Sequence, residues 1–241
     1  MPPKRMTAEV GDGDFVAVGD DFAELFRRAG LEATDDVLDV GCGAGRMARP
    51  LAGWLRGRYE GFDVQARAIR WCRRRYARRH PNFGFTHVDV ANDAYNPSGR
   101  GIAAELSFPY PDDSFDFAIL ASVFTHLLGD AALRYLDELA RVLRPGGTAF
   151  GTWFLLDREV ELALDSGRAE VTFPELGRDP ILGEFRLASV ETPSAAVAYD
   201  LEAVRAAHTD RGLAISEHWP GSWIGRPKVA TWQDVLVGAA L

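Results

Sequence analysis

The stretch that most constrains this chain is Val37-Leu38-Asp39-Val40-Gly41-Cys42-Gly43-Ala44-Gly45-Arg46. Four residues of buried-strand character pass directly into glycines at three alternate positions, and a helical pattern follows. A strand that turns sharply into a helix start gathers backbone N–H groups at one point. Glycine there lets the backbone approach a ligand that a side chain would hold away. The dinucleotide fingerprint G-x-G-x-x-G fits at Gly41 and Gly43, but the third glycine comes one place early and Arg46 stands in its position. Asp39 closes the strand two residues before the first glycine. Its carboxylate would repel a pyrophosphate and suits a ligand that carries an ammonium group.

Two further carboxylates recur at the same pitch. Asp63 ends the apolar run 59–63, and Asp89 comes near the end of the run 83–90. The three aspartates are 24 and 26 residues apart, the length of a strand-plus-helix repeat. In such a sheet the end of the second strand lies beside the glycine loop, where Asp63 can accept both hydroxyls of a ribose. Asp63 can also cap the helix that follows. That helix, predicted over 65–79, carries Arg67, Arg70, Arg73, Arg74, Arg75, Arg78 and Arg79, with Ile69, Cys72 and Tyr76 at helical spacing for the sheet. The arginines read as a solvated face, or as a docking patch for RNA or an acidic partner.

The other elements follow from periodicity. A helix is expected over 20–30, with Phe22, Leu25, Phe26 and Ala29 on one stripe and Asp20 or Asp21 as its cap. Phe15–Gly19 before it is a candidate lid segment. Met47, Leu51 and Leu55 make a stripe interrupted by Pro50. Strands are expected over 37–40, 59–63, 83–90, 115–122 and 148–155, with a helix over 130–144 capped by Asp130. The connection 91–108 is long enough to serve a site and offers Tyr95, Asn96 and Arg100. An irregular cap follows over 156–198, helical at first. Tyr199-Asp200 opens another helix, and two antiparallel strands over 213–219 and 231–237 finish the chain.

Asp39-x-Gly41-x-Gly43-x-Gly45, the acidic residues closing successive strands, the 109–116 turn into Phe115-Asp116 and Leu143-Arg144-Pro145-Gly146-Gly147 together resemble the class I S-adenosylmethionine (SAM)-dependent methyltransferases of the small-molecule type. The resemblance implies an α/β three-layer sandwich with a seven-stranded, mostly parallel sheet whose last strand is antiparallel. It implies one domain over 1–241: an arm and lid helix to residue 30, a SAM-binding core over 31–155, a substrate cap over 156–198, and a C-terminal helix and strands over 199–241. It assigns Asp39 to the methionine amine, Gly41, Gly43 and Gly45 to the loop, Asp63 to the ribose, Asp89 with the Val90 N–H to adenine, and Ala121 and Ser122 to the methionine end. SAM is the implied cofactor and S-adenosylhomocysteine the product. Ser122-Val123-Phe124-Thr125-His126 replaces the Asn/Asp-Pro-Pro-aromatic tetrad of amino-methylating enzymes. The acceptor class implied is therefore a natural-product or sugar hydroxyl.

The general base has three candidates. His126 follows the fourth strand near the expected transfer point, and its ordinary pKa suits proton removal near neutrality. His218 and Tyr199 come from the C-terminal part. Trp153, Phe154, Trp219 and Trp223 are pocket-wall candidates, although aromatics at such positions are more often core. No metal site is expected. The formal charge of −8 disfavours a global grip on nucleic acid, although an RNA or protein methyltransferase and a non-catalytic SAM-binding scaffold stay open as alternatives. Two cysteines suggest a reduced, cytoplasmic protein, monomeric or homodimeric. No apolar run is long enough for a membrane span, and Met1-Pro2-Pro3-Lys4-Arg5 lacks the apolar core of a signal peptide.

Overall fold

A computed structural model describes residues 1–3, 6, 13–227 and 230–241. The expected N-terminal arm lies largely outside the described residues. The main sheet contains β1 (Val37–Val40), β2 (Tyr59–Asp63), β3 (Phe83–His87), β4 (Phe115–Leu120), β5 (Leu143–Trp153), β10 (Leu213–Trp219) and β11 (Asp234–Ala240), in the order β10-β11-β5-β4-β1-β2-β3. Strands β1 to β5 run parallel, and β11 is antiparallel to both neighbours. The fold is therefore the expected seven-stranded α/β sandwich.

Alternation along the central strands makes the three layers. Leu38, Val40, Ala118 and Leu120 join a cluster that includes Leu133, Leu136 and Leu139 of α4 (Gly129–Val142), and Val204 and Ala207 of α6 (Leu201–Thr209). Val37, Phe117 and Ile119 face the other way. They meet Phe26 of α1 (Phe15–Arg28), Leu51 of α2 (Ala48–Leu51) and Ile69 of α3 (Ala66–Cys72). Successive strand side chains point to opposite faces, so a strand covered by helices on both sides is apolar at every position. Order reverses between β1 and β4, and the carboxyl ends of these two strands open the crevice where such sheets take ligands.

Several boundaries differ from the periodicity reading. Helix α1 begins at Phe15 because Asp14 accepts from the N–H groups of Val16 (2.9 Å) and Ala17 (2.7 Å). Phe15–Gly19 is therefore its first turn, and neither Asp20 nor Asp21 is the cap. Helix α3 stops at Cys72 and continues as a π-helical turn, Arg73–Ala77. All seven arginines of this segment are exposed. Asp130 lies in the first turn of α4, which has no side-chain cap. Tyr199 lies within strand β9 (Val197–Asp200), and Asp200, its last residue, caps α6 by accepting from Ala203 N–H at 2.7 Å.

The cap holds more order than its sequence pattern indicates. Asp157 caps α5 (Arg158–Asp165). A second sheet, ordered β6-β9-β8-β7, joins β6 (Leu155–Leu156), β7 (Glu175–Asp179), β8 (Gly183–Leu187) and β9. No helix among the described residues is long and apolar enough to cross a membrane.

Candidate active site

A cavity of about 820 Å³ opens at the carboxyl ends of the parallel strands. Its floor is the glycine turn. Gly41 has φ +69°, and a Cβ there would stand 2.7 Å from Val123 Cγ2, so only glycine fits. Asp63 braces the loop from the next strand: it accepts from Gly43 N–H at 2.8 Å and from Gln65 N–H at 2.7 Å. Burial pushes its carboxyl up, partly offset by these two N–H donors. Asp39 is 1% exposed and accepts a hydrogen bond from Tyr59 Oη. Burial raises its pKa to about 7, against the lowering effect of Tyr59. Both aspartates, Gly41, Gly43, Val90, Ala121 and Ser122 line the cavity.

The far end is built on the turn after β4. Ser122 sits at φ +58°, an uncommon conformation for a residue with a side chain. A buried polar cluster holds it: Ser122 N–H donates to Thr152 Oγ1 at 2.7 Å, and Ser122 Oγ and Thr152 Oγ1 both donate to Gln233 Oε1. Four residues on, the His126 ring lies with Nδ1 2.8 Å from the Ser194 carbonyl and Nε2 3.3 Å from Tyr95 Oη. A carbonyl only accepts, so Nδ1 carries the proton and the Nε2 lone pair accepts from the Tyr95 hydroxyl. Burial holds the His126 pKa below its ordinary value, so the ring is neutral at pH 7.

Residues 37–147 match the family model described as a methyltransferase domain. Over that segment the chain carries a methyltransferase domain. Among curated relatives, an O-methyltransferase of Penicillium expansum is 30% identical over 149 residues, covering 60% of this chain and 45% of that protein. A fatty-acid O-methyltransferase of Mycolicibacterium smegmatis is 39% identical over 112 residues, covering 46% and 34%. The chain thus spans less than half the length of these relatives. Among solved structures, the Burkholderia thailandensis 1,6-didemethyltoxoflavin-N1-methyltransferase, with its substrate and S-adenosylhomocysteine bound, superposes with a TM-score of 0.57 at 16% identity. That alignment covers 94% of this chain and 79% of the other and shows a shared fold.

Not every expected site residue of the methyltransferase domain reaches the cavity. Asp89 stands on the rim, 2.7 Å from Arg100 Nε, and does not line it, whereas Val90 does. The strand ends at His87, three residues earlier than expected, and the connection 91–108 folds back: Gly101 N–H donates to the Asp89 carbonyl, and Val90 bridges Gly101. Tyr199 is a structural post. It is 1% exposed, and its hydroxyl accepts from Gly129 N–H and donates to the Leu127 carbonyl. His218 lies within β10, opposite Leu236 of β11, and is likewise outside the cavity. Of the four aromatic wall candidates only Phe154 lines the cavity. Trp153 stacks on Phe124 in the core, and Trp219 and Trp223 are buried.

Other lining residues carry no role in the sequence reading. Arg46 follows the loop glycines, and Gln233 and Trp232 precede β11. For Arg46 a signal is present, a cation at the fourth place of the glycine pattern. For Gln233 and Trp232 there is none, because only the folding of β11 against β5 brings them to the cavity. The arginines of α3 and its π-turn line no part of it.

Proposed function

We propose that this chain is a SAM-dependent methyltransferase that moves a methyl group to the hydroxyl of a small-molecule acceptor, a natural product or sugar. The observation that carries the reading is one cavity with two buried carboxylates around a glycine cradle at one end and, at the other, a neutral histidine whose Nε2 accepts only from the Tyr95 hydroxyl, a partner an acceptor hydroxyl can replace. The donor set fits the cofactor. Asp39 offers a carboxylate to an ammonium, Arg46 a guanidinium to a carboxylate, and the free capacity of Asp63 serves ribose hydroxyls. Adenine is assigned to the stretch from Val90, with Asp89 able to reach it only after leaving Arg100.

When bound, SAM supplies an electrophilic methyl on a charged sulfonium. The residues of this chain orient and deprotonate. Ala121 and Ser122 set the floor at the methionine end. His126 takes the acceptor proton at Nε2, and the Ser194 carbonyl stabilises the imidazolium through Nδ1–H. Helix α1 contributes Val18, Asp21 and Phe22 to the lining as a lid, and residues 156–198 serve as the acceptor cap through Glu170, Val171, Ala195 and Ala196. The buried free thiols Cys42 and Cys72 support a cytoplasmic location.

Calorimetric titration with S-adenosylhomocysteine tests the reading. One-site binding in the micromolar range, weakened about tenfold or more in Asp63→Ala through loss of charge-assisted hydrogen bonds, and no binding of NAD, is the expected result. Absence of S-adenosylhomocysteine binding would overturn the cofactor assignment.

A further inference from the structure

The walls of the cavity around His126 specify the kind of acceptor, an inference that rests on the methyltransferase reading above. Trp232 is 41% exposed, yet its indole is held: Nε1 donates to Glu170 Oε2 at 2.7 Å, and the ring meets Phe154 edge-on at 5.5 Å. An indole fixed at its N–H and its edge is a rigid, flat, apolar wall. Trp232 is continuous with the site because the next residue, Gln233, holds the Ser122 hydroxyl at 2.8 Å. On the histidine side, the Ser194 carbonyl grips Nδ1, and the next two residues, Ala195 and Ala196, line the cavity with small apolar side chains.

The charge facing this region is of one sign. Glu170 places a carboxylate in the wall, and His126 is held neutral by burial. Arg46 is the single arginine or lysine among the described lining residues, and it belongs to the glycine loop. A free carboxylate acceptor would meet like charge at Glu170. A free sugar would lose water from several hydroxyls against walls of indole, phenyl and methyl groups, and each hydroxyl left unpaired weakens binding. An uncharged ring system with one hydroxyl meets neither difficulty.

We infer that the acceptor is an uncharged, flat, largely apolar molecule bearing a hydroxyl, of the phenol or hydroxylated-polycycle class, laid against Trp232 with its hydroxyl at His126. The relative from Mycolicibacterium smegmatis is named for fatty acids, so this assigns a different acceptor class despite the shared domain.

Three probes separate the classes: 2-naphthol, dodecanoate and methyl glucoside, each titrated into protein saturated with S-adenosylhomocysteine. The expected order has 2-naphthol binding tightest. Trp232→Ala, at a partly exposed position, should weaken it about tenfold through loss of aromatic contact area. Glu170→Lys should bring dodecanoate binding up by about tenfold or more, since a repulsive charge becomes an attractive one. Tighter binding of dodecanoate or methyl glucoside to the unmodified protein would overturn the inference. So would 2-naphthol binding that is absent or indifferent to Trp232→Ala. If S-adenosylhomocysteine itself fails to bind, the cofactor reading falls. Quenching of Trp232 fluorescence by 2-naphthol in the protein alone, compared with Trp232→Ala, then decides the acceptor class independently.

Discussion

Asp39 makes cofactor binding depend on pH in a way that can be calculated. Its carboxyl is buried, hydrogen-bonded by Tyr59, and has its pKa raised to about 7. A ligand ammonium requires the ionised form. If only ionised Asp39 binds, affinity falls by the factor 1 + 10^(pKa − pH), roughly tenfold at pH 6 and roughly a hundredfold at pH 5 relative to pH well above 7. Below pH 7 binding must then release close to one proton. Calorimetry in two buffers of different ionisation enthalpy reads both quantities in one series. Asp39→Asn should bind weakly throughout, with little slope between pH 5 and 7.5. The sign for stability is the reverse. Without ligand, the folded protein holds a proton that the unfolded chain loses near pH 4, so stability falls as pH rises from about 4 to about 7. A pKa moved over that range corresponds to about 4 kcal/mol, and Asp39→Asn should remove that loss. Affinity that is flat from pH 5.5 to 7.5 in the unmodified protein, or a slope that survives Asp39→Asn, would refute the argument.

Three other substitutions probe the frame around the site. Gly45→Ala forces a side chain onto a residue at φ +79° and puts its Cβ 2.5 Å from Tyr76 Cε2. Strain and overpacking together should cost about 2–4 kcal/mol in denaturant unfolding, and a change below about 0.5 kcal/mol would contradict the steric argument. Glu138 is 2% exposed and accepts from Phe108 N–H at 2.6 Å while paired with Arg134 and Arg141. Glu138→Ala should destabilise by about 3–5 kcal/mol and loosen the 91–108 connection, seen as faster amide exchange at Phe108. Phe124→Ala removes a ring stacked on Trp153 at 3.9 Å and should cost about 3–5 kcal/mol by the same unfolding measurement.

Much of the site is legible in the amino-acid sequence because its signals are local. A glycine needed for a positive φ, a carboxylate at a strand end and a strand buried on both faces each leave a mark within a few residues. Asp39, Asp63, the three glycines and the strands β1 and β2 are readable for that reason. For Asp89 the local mark leaves out a distant partner. It sits at the right spacing, yet the connection 91–108 folds back and supplies Arg100 as its partner, a pairing that spacing along the chain does not record. The β7–β8 hairpin leaves no comparable mark, because its strands are half exposed and lack clean alternation.

Periodicity and backbone preference between near neighbours are enough to specify the fold class, the succession of parallel strands and the loop that cradles a ligand. Which histidine faces the cavity depends instead on contacts between distant segments. His126 and His218 have the same chemistry, but one borders the crevice at the end of β4 and the other lies within β10, beyond β11 and β5. The same holds for Trp232 and Glu170, 62 positions apart in the chain and joined by one hydrogen bond at the cavity wall. Such pairings follow from how the sheet closes and how the cap packs on it. Those are sums of many burial terms, and no single stretch of the chain encodes them.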